Sequence, residues 1–404
     1  MNKYIKLTSL LLLIIVTLTG FGLYQAQASS PYTELKIVTS EGKPEYVEPF
    51  HLFSFVSDSD TYGNSSAVEF KNGRSQYVQD QPFLKKMDFN YTPHINELIE
   101  THRSFMRGKS RRAEQYTETD QHIFYTGMES DVHWDNPSLG QLTISVLDKE
   151  TETEETYSVS LGNEGTYYDV RAAYINYPTL NMIITTNNSS DLPETVIYSF
   201  DVENPSEEMT EVINLSNVIE GNDALHIGLL QDKSERFIPI QAVTDTSASE
   251  FDYTVETSGY YVYDTQTQEV IDVPMFEEKT LLFTDNDTVY VGKDLGDTIE
   301  LYEMNLDNEK LNPMGTIMMA TPTIGDEDGN YYNGVFNSSM TILDGKFYAY
   351  ETQHTDNVSR PLFQVTDILT QETLFNGTIK PKDTAKENST NIDIFELRIK
   401  TENN

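Results

Sequence analysis

From Glu34 onward, short apolar runs alternate with clusters of turn-forming residues. Leu35–Val38, His51–Val56, Ala67–Phe70, Gln121–Tyr125 and Leu142–Leu147 open the series. Met182–Thr185, Val196–Phe200, His226–Leu230, Phe237–Ala242 and Tyr260–Tyr263 continue it. Leu281–Phe283, Thr288–Val291, Thr298–Met304, Met340–Leu343, Lys346–Tyr350, Leu362–Val365 and Ile392–Ile399 complete it. β-Branched and aromatic residues dominate these runs, and their spacing predicts an antiparallel meander. Asn72-Gly73, Gly221-Asn222, Asp328-Gly329 and Asp344-Gly345 supply turn dipeptides between them.

Within the meander one unit recurs five times: a strand, an Asp-led turn and a returning strand. The copies are Leu142–Leu161 (turn Asp148–Thr151), Val196–Leu215 (Asp201–Asn204), Tyr260–Met275 (Asp264–Thr267), Leu301–Ile317 (Asp307–Lys310) and Leu362–Ile379 (Asp367–Thr370). A carboxylate in the first position can accept from turn amides two residues on, and Thr or Asn in the fourth position can bond back to it. Lys310 breaks that pattern, so the turn of the fourth copy is expected to be weaker. The leading aspartates are spaced 53, 63, 43 and 60 residues apart. A four-stranded propeller blade takes roughly 40–50 residues, and the longer gaps require loop insertions such as Asp245–Glu250 and His354–Pro361. The expected fold is therefore all-β, a β-propeller of about six four-stranded blades with seven left open. Ile392–Ile399, apolar at Ile392, Ile394, Leu397 and Ile399, is the closing strand, which removes an exposed sheet edge.

One segment has a different period. Ile95, Leu98, Ile99, His102, Phe105 and Met106 recur at helical spacing. Glu97 and Glu100 precede Arg103 and Arg107, the order a helix dipole favours, and Gly108 is a natural stop. A helical and basic insertion at about 94–113 in a propeller domain spanning 34–400 is the expectation.

Ahead of the meander, Lys3 and Lys6 flank a stretch free of charge over residues 7–33, with an apolar core at Leu10–Leu23. Ala26-Gln27-Ala28 has the small-x-small form of a signal-peptidase site. Residues 1–28 are either a cleaved signal peptide or, since Leu7–Tyr24 is about 18 residues long, an N-terminal membrane anchor. Either way the body lies outside the cytoplasmic membrane.

Composition narrows the partners. Asp and Glu total 65 against 27 Lys and Arg, a formal net charge of −38. A field of that sign repels nucleic acid and anionic lipid. The apolar fraction is only 38%, but 25 Tyr and 19 Phe supply enough burial to make a folded body the expectation. The absence of cysteine excludes disulfides, thiolate metal sites, a Cys nucleophile and a lipid-modified Cys. It also fits a secretome that does not depend on disulfides, as in Gram-positive bacteria.

Against this acidity, Arg103, Arg107, Lys109, Arg111 and Arg112 place five of the 27 basic residues within ten positions. They are the candidate contact for an anionic wall polymer or an acidic cell-envelope protein, or else they offset the protein's own carboxylates. Trp134, the single tryptophan, sits in Asp131-Val-His-Trp-Asp135 and could stack a sugar ring or pack at a blade edge. Asp326, Asp328 and Asn330 form a D-x-D-G-N fragment that is the best calcium candidate, although Asn337 stands where a closing acid would be needed. Seven scattered histidines show no zinc spacing, and no nucleophile elbow, P-loop or dinucleotide fingerprint occurs.

The leader, the cysteine-free acidic body and the Asp-turn hairpins together resemble uncharacterised exported or membrane-anchored β-propeller proteins of Gram-positive, low-GC bacteria. The resemblance is architectural, covers most of residues 34–400, and implies a fold without transferring a functional residue. The expected function is an extracytoplasmic, non-catalytic binding or scaffold role in the cell envelope, sensing included, in a monomer without cofactors. The alternatives are an envelope polysaccharide hydrolase or lyase, and an extracellular companion subunit of a membrane transporter or sensor. An uncleaved leader would supply membrane contact.

Overall fold

Alternating apolar runs become sheet wherever turns are short enough for consecutive strands to pair antiparallel. In the computed structural model the described residues are 12–13, 16–17, 20, 33–58, 65–71, 73–81, 93–128, 141–161, 167–187, 193–228, 236–245, 255–319, 340–355 and 358–399. The chain divides into two compact units. One comprises Met1–Asn90, Tyr350–Val365 and Thr373–Asn404; the other comprises Tyr91–Ala349 and Thr366–Glu372.

The strands begin with β1 (Leu35–Gly42), β2 (Phe50–Asp58), β3 (Ser65–Lys71) and β4 (Arg74–Tyr77). Four sheets follow in strict sequence order. They are β5 (Tyr116–Glu118), β6 (His122–Met128), β7 (Gln141–Asp148) and β8 (Glu154–Ser160); β9 (Tyr167–Asn176), β10 (Thr179–Asn187), β11 (Glu194–Asp201) and β12 (Thr210–Asn214); β13 (Ala224–Ile227), β14 (Phe237–Asp245), β15 (Val255–Asp264) and β16 (Glu269–Val273); and β17 (Lys279–Asp285), β18 (Thr288–Asp294), β19 (Thr298–Asn305) and β20 (Lys310–Met318). The last strands are β21 (Met340–Leu343), β22 (Lys346–Thr355), β23 (Val358–Asp367), β24 (Thr373–Pro381) and β25 (Thr390–Ile399). Among the described residues six antiparallel sheets result, five of four strands and one of five, which is the β-propeller class expected and matches six blades.

The chain ends are exchanged between two of these sheets. β25 takes the first position beside β2, in the order β25-β2-β3-β4. β1 pairs with β24 and makes that sheet five-stranded. Tyr77 Oη donates to the Thr33 carbonyl at 2.7 Å, Lys382 Nζ meets Glu34 Oε2 at 2.5 Å, and Ser359 N donates to Asn391 Oδ1 at 2.8 Å. Ile392–Ile399 thus closes the first blade as its pattern predicted.

In the second unit the central strands are apolar at consecutive positions, because both faces of a blade are buried. Met182 and Ile184 join a core with Phe124, Leu142 and Ile144, whereas Ile183 between them joins another with Ile238, Ile240 and Tyr263. Likewise Leu282 meets Phe237 and Val262, while Leu281 and Phe283 meet Ile342 and Phe347. The period of two sorts neighbours into successive cores rather than into core and solvent.

The Asp-led hairpins all join the third strand of a blade to the fourth. Asp148, Asp201, Asp264 and Asp367 each accept, through one carboxylate oxygen, the amides two and three residues on, at 2.8–3.4 Å. The following residue donates its N–H to the loop before the blade's second strand: Lys149 to Gln121, Val202 to Pro178, Thr265 to Arg236 and Ile368 to Gly345, at 2.8–3.1 Å. Glu152, Gln268 and Gln371 close the turns with φ of 54°, 60° and 60°.

The fourth copy departs from the expectation. Its hairpin pairs Asn305 with Lys310, and Glu309 carries the positive φ of 57°, so Asn305 and not Asp307 stands in the leading position. Asn305 Oδ1 accepts from Asp307 N at 3.1 Å, and Asn308 Oδ1 accepts from Lys310 N at 3.1 Å. Lys310 is the first strand residue, and the shift of two removes its apparent misfit. The blade made with β25 lacks an Asp turn because β3 and β4 pair Lys71 directly with Arg74, with Gly73 between them at φ 70°.

Two predictions follow from the closure and the turns. Ile392 is fully buried in β25, and Ile392→Ala should cost about 3 kcal/mol in urea unfolding. At Asp264, burial pushes the carboxyl up, but Arg236 and the amides of Gln266 and Thr267 outweigh it and hold the group below its usual range. Arg236 grips both carboxylate oxygens, at 2.6–3.0 Å. Asp264→Ala should cost about 2 kcal/mol, less than a fully dry pair because water reaches Arg236. That contribution is present above pH ~4 and is lost as pH falls through the lowered folded value. The stability of the variant should therefore fall less steeply on acidification.

Candidate functional site

The helical segment forms as α1 (Pro93–Thr101) and α2 (Arg103–Met106), interrupted at His102 with φ −123° and ψ 49°. Its apolar stripe, Ile95, Leu98, Phe105 and Met106, packs on Tyr116, Ile123, Tyr125 and Leu147 of the blade β5–β8. Gly108, at φ 80°, turns the chain away from α2. The predicted single helix is thus two, broken at His102.

That run is held on a rigid base. Tyr116 Oη donates to the Ser110 carbonyl at 2.5 Å, and Ser110 N donates to Tyr125 Oη at 3.1 Å. The two rings lie 5.0 Å apart. Burial pushes both phenols up, so each stays protonated.

The five cations then separate by environment. Lys109 Nζ lies 4.1 Å from the Phe105 ring centroid, donates to the Phe105 carbonyl at 2.7 Å and meets Glu154 at 2.6 Å. Arg112 bridges Glu114 at 2.5 Å and Asp169 at 2.6 Å. Both therefore offset the protein's own carboxylates. Arg103 and Arg107 are exposed and form no ion pair with a described residue, and Arg111 is also exposed. Trp134 and the calcium candidates Asp326, Asp328 and Asn330 lie outside the described residues. Among the described residues no group of three or more His, Asp or Glu could hold a metal ion. Most of the leader is also outside them, and no described helix is long and apolar enough to cross a membrane.

The structure assembles a second place that sequence reading missed. Where blade β5–β8 meets blade β9–β12, a cleft of about 220 Å³ is lined by His122, Phe124, Val146, Asp148, Thr153, Glu155, Tyr157, Tyr177 and Val202. His122 starts β6, and Asp148 is its cross-strand partner at the end of β7, with His122 Nε2 and Asp148 Oδ2 4.0 Å apart. Tyr177 stands on the tight turn between β9 and β10, 53% exposed, its ring parallel to His122 within 10° at 5.8 Å. The hydroxyl of Tyr157 donates to Glu155. That bond, helped by burial, pushes the Tyr157 phenol up to about 12. Burial, a bond to Glu203 and the charge of Asp201 push Tyr177 up as well. Asp148 is held below the usual carboxylate range, first by its bonds to Thr151, then by Glu150 and by His122. No local signal links His122 to Tyr177 across 55 positions, and Asp148 already had a complete explanation as a turn residue.

A shallower hollow of about 450 Å³ lies on the hairpin β3–β4, lined by Glu69, Lys71, Arg74 and Gln76. Glu69 bonds the buried His51 at 2.5 Å.

No family model and no curated protein matches the sequence. Solved structures align with it at low identity. TolB from Acinetobacter baumannii covers 86% of this chain at 11% identity and a TM-score of 0.31, and the chain spans 66% of TolB, just under two thirds. An oligogalacturonate lyase from Vibrio parahaemolyticus aligns over 84% of each chain at 10% identity, TM-score 0.40. The β-propeller domain of the Trilobed protease from Pyrococcus furiosus aligns over 78% of this chain and 84% of its own at 13% identity, TM-score 0.32. Similarity at this level transfers no residue role.

The division of the basic run is testable. Lys109→Met should cost about 1–3 kcal/mol and speed amide hydrogen exchange over residues 105–110, because it strands the Phe105 carbonyl and Glu154. Arg103→Ala should leave both stability and exchange unchanged within about 0.5 kcal/mol.

Proposed function

We propose that this propeller is a non-catalytic binding or scaffold module of the cell envelope, exported by its N-terminal segment in a Gram-positive bacterium. Its contact is an anionic wall polymer or an acidic envelope protein. The observation that carries the reading is the pair Arg103 and Arg107. They project from a base fixed by Tyr116 and Tyr125, without a described carboxylate partner, in a chain of net charge −38. The two stand four residues apart, both exposed, and long guanidinium side chains suit carboxylate or phosphate partners. Lys109 and Arg112 hold the segment in place and are not part of the contact.

A glycoside hydrolase would need a carboxylic acid kept protonated near neutral pH. At the aromatic cleft the environment of Asp148 acts in the opposite direction, so Asp148 is not that acid.

Arg103→Glu combined with Arg107→Glu should abolish retention of the protein on isolated cell-wall sacculi, with an unchanged circular dichroism spectrum. Retention equal to that of the unaltered chain would remove the basic segment from the contact.

A further inference from the structure

The cleft between β5–β8 and β9–β12 combines three properties that the basic segment does not share. Its floor is apolar, made by Phe124, Val146 and Val202. Its lining is aromatic, with Tyr157 and with Tyr177 parallel to His122. Its charged lining is acidic, Asp148 and Glu155, with no Lys or Arg among the nine lining residues.

Each property bears on what the cleft can accept. Tyr177 leaves half of a large aromatic side chain open to water beside that floor. A phenol that donates to a carboxylate, as Tyr157 does to Glu155, carries a more negative ring face than a free phenol. Asp148 is ionised and fixed in direction by the Glu150 and Thr151 amides. Lys149, next in sequence, cannot neutralise it, since its Nζ donates to the Thr119 carbonyl at 2.7 Å and pairs with Glu118 at 2.9 Å. The acidic surface adds to the same potential.

We infer that this cleft is a binding site for a compact organic cation of the alkylammonium class, with Tyr157 and Tyr177 facing its methyl groups and Asp148 and Glu155 balancing its charge. Aromatic faces attract alkylated ammonium ions and carboxylates provide the counter-charge, whereas a hydrated metal ion gains nothing from an apolar floor. An anionic ligand meets two carboxylates and no lysine or arginine. The site is separate from the basic segment and independent of the function proposed for it.

Isothermal titration of the full chain with tetramethylammonium chloride tests this. The expected result is saturable binding, at least tenfold weaker in Tyr177→Ala and in Glu155→Gln. Raising salt from about 0.05 M to about 0.5 M should weaken it further. Tyr177 is exposed, so its removal leaves the fold intact, and the Arg103→Glu, Arg107→Glu chain should bind tetramethylammonium normally. No saturable heat would overturn the inference. So would equal binding of 3,3-dimethyl-1-butanol, an uncharged compound of similar shape, or binding of glucose but not tetramethylammonium in a manner that Tyr177→Ala abolishes.

Discussion

The bond between a turn carboxylate and the two amides that follow it is the interaction on which the rest of this molecule depends. It fixes the length of the loop between a blade's third and fourth strands, and loop length fixes register. Register matters more here than in a half-exposed sheet. Ile183 and its neighbours Met182 and Ile184 face different cores, so a slip of one residue would exchange the contents of two cores. The second anchor, from Lys149, Val202, Thr265 or Ile368 to the loop before the second strand, ties three strands of a blade to one turn. Arg236 reinforces this at Asp264, where burial alone would disfavour the charge.

What could be read from the chain was local. Asp148, Asp201, Asp264 and Asp367 announce their turns because donor and acceptor lie within three residues of each other. The fourth turn was misplaced by two residues because Asn305, a weaker signal than an aspartate, leads it while Asp307 lies inside the loop. The helix was visible through its period, but its interruption at His102 was not. The basic run was visible too, but its division into fixed and projecting members was not. Glu154 and Asp169, which hold Lys109 and Arg112, are brought there by strands 45 and 57 positions away. The cleft was illegible for the same reason in stronger form, since its aromatic walls come from different blades.

The excess of acid also looks different once its members are placed. Part of it is internal machinery, in the turns and in pairs such as Lys382 with Glu34 and Lys380 with Glu387. With 27 cations for 65 acids, a basic residue held in such a pair is withdrawn from a small supply. The lack of a lysine or arginine in the lining of the cleft is informative against that background.

The exchange of chain ends has a consequence in time. A ribosome releases β2 more than three hundred residues before β25, the strand that must lie beside it. Until β25 emerges, the first blade has an open edge, and a chain that stops before Thr390 never covers it. Only a chain that has reached β25 can hide the edge of β2.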